Sequence, residues 1–157
     1  MTEQEIISSL ENKFNFLKEK IKLQRARRLW VEVEMANFPE VLKYLRQSQN
    51  FYQLLTITGL DEREAFAVIY HLSDGTGLVL NLKTKISRET PVLKSVMDIY
   101  PPAEIYEREL VDLLGIKVEG LPPGNSYPLP DGWPAGQYPL RKDWVGVSCL
   151  DEEKKNV

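Results

Sequence analysis

Apolar residues recur at steps of three and four through Ile6, Leu10, Phe14, Leu17 and Ile21, the spacing of one buried helix face. Thr2 stands three residues before Glu5, the interval of a capping box, so the helix is expected to start there and run to about Lys22. From Leu29 the period shortens to two: Leu29, Val31, Val33 and Met35 alternate with Trp30, Glu32 and Glu34, as a half-buried strand requires. Asn37, with Pro39 and Glu40 behind it, opens a second helix carrying Val41, Leu42 and Leu45. Residues 51–58 read as a strand that stops at Gly59. Residues 64–72 and 78–83 read as two more, joined through Ser73-Asp74-Gly75, a turn sequence that permits positive φ.

Strands joined by a hairpin run antiparallel, and helices set apart from them predict an α+β fold: a small, mainly antiparallel sheet with helices packed on one face. A short helix over residues 92–99 and a longer one over 104–114 would close the core. In the latter, Tyr106, Leu110 and Leu113 or Leu114 form the apolar face, while Glu104, Arg108 and Asp112 form a charged stripe. Gly115 is placed to be its left-handed cap.

The pattern then breaks, since six of the ten prolines and four of the nine glycines fall between Ile116 and Leu140. The expected organisation is therefore an α+β domain over residues 1–115 followed by an extended, proline-rich C-terminal arm over 116–157. Tyr127, Trp133, Tyr138 and Trp144 are interleaved with the prolines, an aromatic content that solvated linkers lack. Ordering such an arm costs roughly 1 kcal/mol per residue in backbone entropy, so it needs a surface to lie on, either its own domain or another subunit. Its aromatics and Arg141 are residue types that anchor interfaces.

Composition narrows the function classes. With 43% apolar and 27% charged residues in 157, the chain is globular in composition and long enough for one ordinary core. A net charge of -3 gives no overall attraction to nucleic acid or anionic lipid. The cluster Lys18, Lys20, Lys22, Arg25, Arg27 and Arg28 is expected near the first helix's C-terminal end, where cations suit the dipole; a phosphate or partner contact is the alternative. No apolar run approaches the roughly 20 residues of a membrane span. Cys149 is the only cysteine and no basic-then-apolar segment opens the sequence, which points to a reducing, cytoplasmic setting.

Candidate chemistry is sparse. His71 is the only histidine and falls in an expected strand, where a structural or surface role fits best. One histidine and one cysteine do not make a zinc site of usual composition or an iron–sulfur cluster. Neither a Walker loop nor a Gly-x-Gly-x-x-Gly fingerprint occurs. The remaining feature is the acidic helix, where Glu107 and Glu109 add to Glu104 and Asp112, and two carboxylates sit in turns facing the negative end of the dipole. This surplus acid is surface solubility, or it meets arginines on the arm or on a partner, or it is a carboxylate pair for acid–base work. Arg141-Lys142-Asp143 is the matching basic element, and Arg suits bidentate carboxylate pairing. Whether it returns to the same helix or reaches outward is not readable from spacing.

Taken together, the Glu-Arg-Glu-x-x-Asp-x-x-Gly run at 107–115, Glu119-Gly120, Leu129-Pro130-Asp131-Gly132-Trp133 and Pro139-Leu140-Arg141-Lys142-Asp143 resemble the 30 kDa subunit family of respiratory complex I and the related membrane-bound nickel-iron hydrogenases. The resemblance implies an accessory subunit with no catalytic centre and no cofactor of its own. It would sit in the cytoplasm-facing peripheral arm of a membrane-bound oxidoreductase, attached to the membrane only through partner subunits. Those partners would be a large subunit, 49 kDa-like or hydrogenase-like, and a small iron–sulfur subunit, which hold the iron–sulfur clusters and, in the hydrogenase branch, nickel-iron. The C-terminal arm would wrap the large subunit. Glu107, Arg108, Glu109, Asp112, Trp133, Tyr138, Arg141, Lys142 and Asp143 are the residues expected to bind the partner or fix the arm. Many family members carry His-Pro and an Arg pair where this chain has Leu121-Pro122-Pro123-Gly124-Asn125-Ser126. The Trp-Pro-x-Gly-x-Tyr-Pro-Leu-Arg-Lys-Asp ending looks more like the hydrogenase and sulfur-reducing branch than like the 30 kDa subunit of an NADH-quinone oxidoreductase. Two rivals stand outside the resemblance: a free-standing ligand-binding domain using the basic cluster at 18–28, and an enzyme using Glu109 and Asp112.

Overall fold

The computed structural model describes residues 2–146; Cys149 lies outside the described residues. In chain order the elements are α1 (Glu3–Lys13), β1 (Ile21–Arg25), β2 (Arg28–Glu32), α2 (Phe38–Ser48), β3 (Gln53–Asp61), β4 (Ala65–Ser73), β5 (Val79–Ser87), β6 (Val92–Lys94), α3 (Ala103–Leu114) and β7 (Lys117–Glu119). Five strands form one sheet in the order β1-β2-β5-β4-β3, in which β2 and β5 run parallel and every other pair is antiparallel. β6 and β7 form a separate parallel pair. No helix among the described residues is long and apolar enough to cross a membrane.

Alternation along the strands decides which side chains enter the core. Leu29, Val31, Phe66, Val68, Tyr70, Leu72, Leu80, Leu82 and Ile86 bury against Ile6 and Leu10 of α1, Val41, Leu42 and Leu45 of α2, and Leu110 and Leu114 of α3. The other face carries the intervening residues. His71 there is a structural bridge: its Nδ1 lies 2.6 Å from Asn81 Oδ1 and its Nε2 2.9 Å from Thr58 Oγ1, while Asn81 Nδ2 donates to the Leu29 carbonyl. That last bond orients the amide, so Asn81 Oδ1 faces the ring and Nδ1 carries the donated proton.

The first helix keeps its expected start and not its expected end. Thr2 and Glu5 form the capping box, with Thr2 N–H donating to Glu5 Oε2 at 2.9 Å and Glu5 N–H to Thr2 Oγ1 at 3.3 Å. The helix closes at Lys13, however, and a 3₁₀ turn over Asn15–Leu17 follows. Phe14 and Leu17 are buried as the periodicity requires, but a spacing of three serves a 3₁₀ turn as well as an α-helix. Glu19 then takes φ 68°, and Ile21 begins a strand opposite Val31. Of the basic cluster, Lys18 therefore closes the 3₁₀ turn and Lys20 leads into β1, while Lys22, Arg25, Arg27 and Arg28 decorate the β1–β2 hairpin; none stands at the end of α1. The cluster's arginines tie turns together: Arg27 Nη1 donates to the Thr76 carbonyl and Arg28 Nη1 to that of Gly77, each at 3.0 Å.

Two further expectations give way to tertiary contacts. Residues 92–99 do not form a helix; 92–94 are β6, whose partner β7 lies in the arm. β3 does not stop at Gly59 but runs to Asp61. The glycine is there because α3 crosses it closely: a Cβ on Gly59 would lie 2.5 Å from Leu114 Cδ1 and 2.6 Å from Leu110 Cδ2.

Glu107 holds the β6 turn against α3. Its carboxylate is 1% exposed, accepts the Val96 N–H on Oε1 and the Ser95 hydroxyl on Oε2, both at 2.7 Å. Burial raises its pKa; the two hydrogen bonds oppose the rise, and Asp98 and Glu104 add to it. A raised folded pKa means that the protonated form is favoured in the fold. That contribution is fully present below the ordinary Glu range of about 4.3 and is lost as pH rises through the folded value. Glu107→Gln, which mimics the protonated group, is expected to be at least as stable as the parent at neutral pH, with the difference closing toward pH 4. Glu107→Ala leaves the Val96 N–H and Ser95 hydroxyl unpaired and should cost about 2 kcal/mol. Urea denaturation across that pH range checks both.

Candidate docking site

α3 and the arm are held together from end to end. Beside the first turns, Arg108 spans two structures: Nη2 donates to Glu104 Oε1 at 2.8 Å and to the Pro122 carbonyl at 2.9 Å. A turn later, Asp112 Oδ2 accepts the Tyr127 N–H. At the C-terminus, Gly115 takes φ 69° and its N–H closes on the Val111 carbonyl, the left-handed cap expected there. The arm returns to this same end. Leu140 N–H donates to the Leu113 carbonyl at 3.1 Å and Arg141 Nε to the Leu114 carbonyl at 2.7 Å.

Arg141 thus meets the negative end of the helix dipole, where a cation is stabilised, and forms no pair with the acidic stripe. Its guanidinium carbon lies 4.5 Å from the Tyr138 ring centre and 5.2 Å from that of Phe66. Gly115 is required a second time here, because a Cβ would lie 2.5 Å from the Tyr138 ring and 2.7 Å from Arg141 Nη2. Lys142 contributes its backbone N–H, which donates to Asp61 Oδ2 at 2.8 Å, and Asp143 pairs with Arg88 at 2.9 Å. Arg88 also pairs with Asp61, so one guanidinium joins the domain's strand ends to the hook.

Asp61 and Arg88 carry no sequence signal. They lie 27 residues apart, at the ends of β3 and β5, and only the sheet brings them together beneath the arm. Burial works to raise the Asp61 carboxyl, but Arg88 and the N–H groups of Lys142 and Arg63 hold it at about 2.

Farther out, Trp133 Nε1 donates to the Gln137 carbonyl at 2.8 Å and Trp144 Nε1 to Gln137 Oε1 at 2.9 Å, with the two indoles 6.2 Å apart. Of the residues singled out in the sequence, Arg108, Asp112, Trp133, Tyr138, Arg141, Lys142 and Asp143 meet along this seam. Glu107 is turned inward instead, and Glu109 makes no salt bridge among the described residues. The described residues contain no group of three or more His, Cys, Asp or Glu placed to hold a metal ion.

The family described as "Respiratory-chain NADH dehydrogenase, 30 Kd subunit" matches residues 31–148. A subunit of the F(420)H(2) dehydrogenase of Methanosarcina mazei is 33% identical over 144 residues, covering 90% of each chain. Formate hydrogenlyase subunit 5 of Escherichia coli is 37% identical over 120 residues, which is 73% of this chain and 21% of that longer one. Among solved structures, a chain of the membrane-bound sulfane sulfur reductase, an archaeal respiratory membrane complex, superposes with a TM-score of 0.82 at 30% identity, covering 97% of this chain and 91% of that one.

The depressed Asp61 pKa makes the seam acid-labile. Stability from a depressed carboxylate is present above its unfolded value, about 3.9, and lost as pH falls through the folded one. Between pH 4 and pH 2 the parent should lose on the order of 2 kcal/mol from this group. Asp61→Asn should lack that acid-linked loss and be less stable than the parent at pH 7. Tryptophan fluorescence, to which Trp133 and Trp144 on the hook contribute beside Trp30 of β2, follows the release in both.

Proposed function

The chain belongs to the 30 kDa subunit family of the respiratory-chain NADH dehydrogenase, and from that membership we propose that it is a non-catalytic accessory subunit of a membrane-bound, complex-I-like oxidoreductase. It sits in the peripheral arm on the cytoplasmic side, contacting a large subunit and a small iron–sulfur subunit. Those partners hold the iron–sulfur clusters and, in the hydrogenase branch, nickel-iron. The complex is of the hydrogenase or sulfur-reducing branch.

One observation carries this reading. The likeness to the sulfane sulfur reductase chain spans 97% of this chain and 91% of the other, so it takes in the arm as well as the domain. The formate hydrogenlyase relative supports a large neighbour, because there the matching stretch is 21% of one longer polypeptide and so is covalently joined to a much bigger body. The arm supports it physically. Residues 120–140 contain a single charge, Asp131, in a chain that is 27% charged. Charge depletion with aromatics retained is the compositional mark of an interface core. The seam along α3 holds the arm's backbone in place before any partner arrives, so less ordering entropy opposes association.

A second reading, the corresponding subunit of an NADH- or F(420)H(2)-oxidising complex, is favoured by the 33% identity to the F(420)H(2) dehydrogenase relative.

The test is purification of the tagged chain from detergent-solubilised membranes, with mass spectrometry of what accompanies it. The expected result is a large and a small electron-transfer subunit retained through mild salt. Arg141→Glu, which places an anion against the α3 carbonyl end, should lose them while keeping the domain's circular dichroism. A tagged chain found only as a compact monomer in the membrane-free fraction would sink the proposal. Nickel in the purified complex favours the hydrogenase branch; oxidation of NADH or F(420)H(2) by it favours the second reading.

A further inference from the structure

The two edges of the five-stranded sheet are finished differently. β1 is short, carries Lys22 and Arg25, and its pairing slips between Leu23 and Arg25. Shortness, charge and irregularity are devices that keep a foreign strand from adding to a sheet. β3, at the other edge, is nine residues long and has no charge before Asp61. Its pairing with β4 is irregular between Leu54 and Thr56, where the Tyr106 hydroxyl of α3 also caps the Leu55 carbonyl at 2.9 Å; from Thr56 on the pairing is regular, and no strand among the described residues lies on its outer side. Leu55 and Leu60 on this strand are 44% and 43% exposed, and Leu140 of the arm, 52% exposed, stands next to it.

Between β3 and α3 lies a cleft of about 150 Å³ walled by Gly59, Leu110, Leu113, Leu114 and Leu140, with Glu109 in its lining. Glu109 has no salt-bridge partner among the described residues, and the last turn of α3 contains no basic residue. The site therefore offers a short slot, leucine-walled on the α3 side and bordered by Thr56 and Thr58 on the β3 side, beside an uncompensated carboxylate.

Resting on the reading of the chain as a subunit, we propose that this edge and cleft seat an extended segment of a neighbouring subunit, one that presents an aliphatic side chain to the slot and a lysine or arginine to Glu109. The spacing fits such a segment. Residues two apart on a strand lie on the same side about 7 Å from each other, and Leu113 stands one helical turn, about 6 Å of rise, beyond Glu109. Charge complementarity specifies the basic residue, and the regular stretch of β3 from Thr56 to Leu60, with no strand on its outer side among the described residues, accounts for the extended conformation.

The experiment compares variants of the tagged chain for retention of the other subunits in the solubilised complex. Glu109→Lys combined with Leu140→Asp should weaken retention at least about tenfold. Leu55→Lys, which adds a charge to this edge, should do the same by a separate route. Leu23→Lys, equally exposed but at the guarded edge, should leave retention unchanged; thermal melts of the isolated variants establish that each is folded. Retention within about twofold of the parent for both edge variants, or equal loss with Leu23→Lys, overturns the proposal while leaving the subunit reading intact. A concentration-dependent dimer of the isolated chain that Leu55→Lys abolishes also overturns it, since the occupant is then a second copy. If the parent chain itself retains no subunit, the subunit reading is what fails.

Discussion

The last turn of an α-helix leaves its final carbonyls without helical donors, and in this protein the arrangement of the C-terminal third depends on how that deficit is met. Gly115 and Ile116 satisfy the Val111 and Leu110 carbonyls by turning back on the helix. The Leu113 and Leu114 carbonyls are met from 27 residues away, by the Leu140 N–H and the Arg141 guanidinium. The arm is thus required to finish the helix, and the helix end, through its dipole, is the natural seat for the arm's arginine. Everything between the two ends is a closed loop pinned at Pro122 and Tyr127 by Arg108 and Asp112.

This makes the acidic helix a structural organiser. Its four carboxylates have separate tasks. Glu104 orients Arg108, Glu107 holds the Ser95–Val96 turn from inside the core, Asp112 pins the arm, and Glu109 stays uncommitted beside a slot that is leucine-walled on the α3 side. A helix bearing surplus acid near its negative end would be disfavoured in isolation. Here hydrogen bonds from the β6 turn and the arm offset much of that disadvantage, leaving one carboxylate whose natural complement is a cation supplied from outside.

Much of the architecture is legible as local pattern. The capping box at Thr2, the β4–β5 hairpin around Asp74-Gly75 and the Gly115 cap all follow from residue types acting within a few positions of themselves, and the second helix starts after Asn37 with Pro39 in its first turn, although the Asn37 side chain makes no capping hydrogen bond. The misread segments share one cause. β1 is a short edge strand with little burial, and its alternation, Ile21 and Leu23 against Lys22 and Gln24, is too brief to stand apart from the helical spacing before it. Residues 92–94 are a strand only because residues 117–119 lie alongside, and Gly59 interrupts nothing because its missing side chain makes room for α3.

By itself the sequence determined the α+β class, the helix that ends at Gly115, the aromatic proline-rich arm and, through the motifs at 107–115 and 139–143, the family. These are consequences of short-range stereochemistry, hydrophobic period and residue order. Only the tertiary structure decided where the hook closes. Asp61 and Arg88 become its anchor because the pairing of β3 and β5 with β4 brings their ends beneath the arm, and Arg141 chooses helix carbonyls over helix carboxylates because the chain reaches α3 at its end and not along its charged stripe. Each hairpin's register follows from its own turn, but the meeting of Asp61 with Arg88 needs β3 and β5 to end on the same side of their shared partner β4, and that is decided by the assembled sheet.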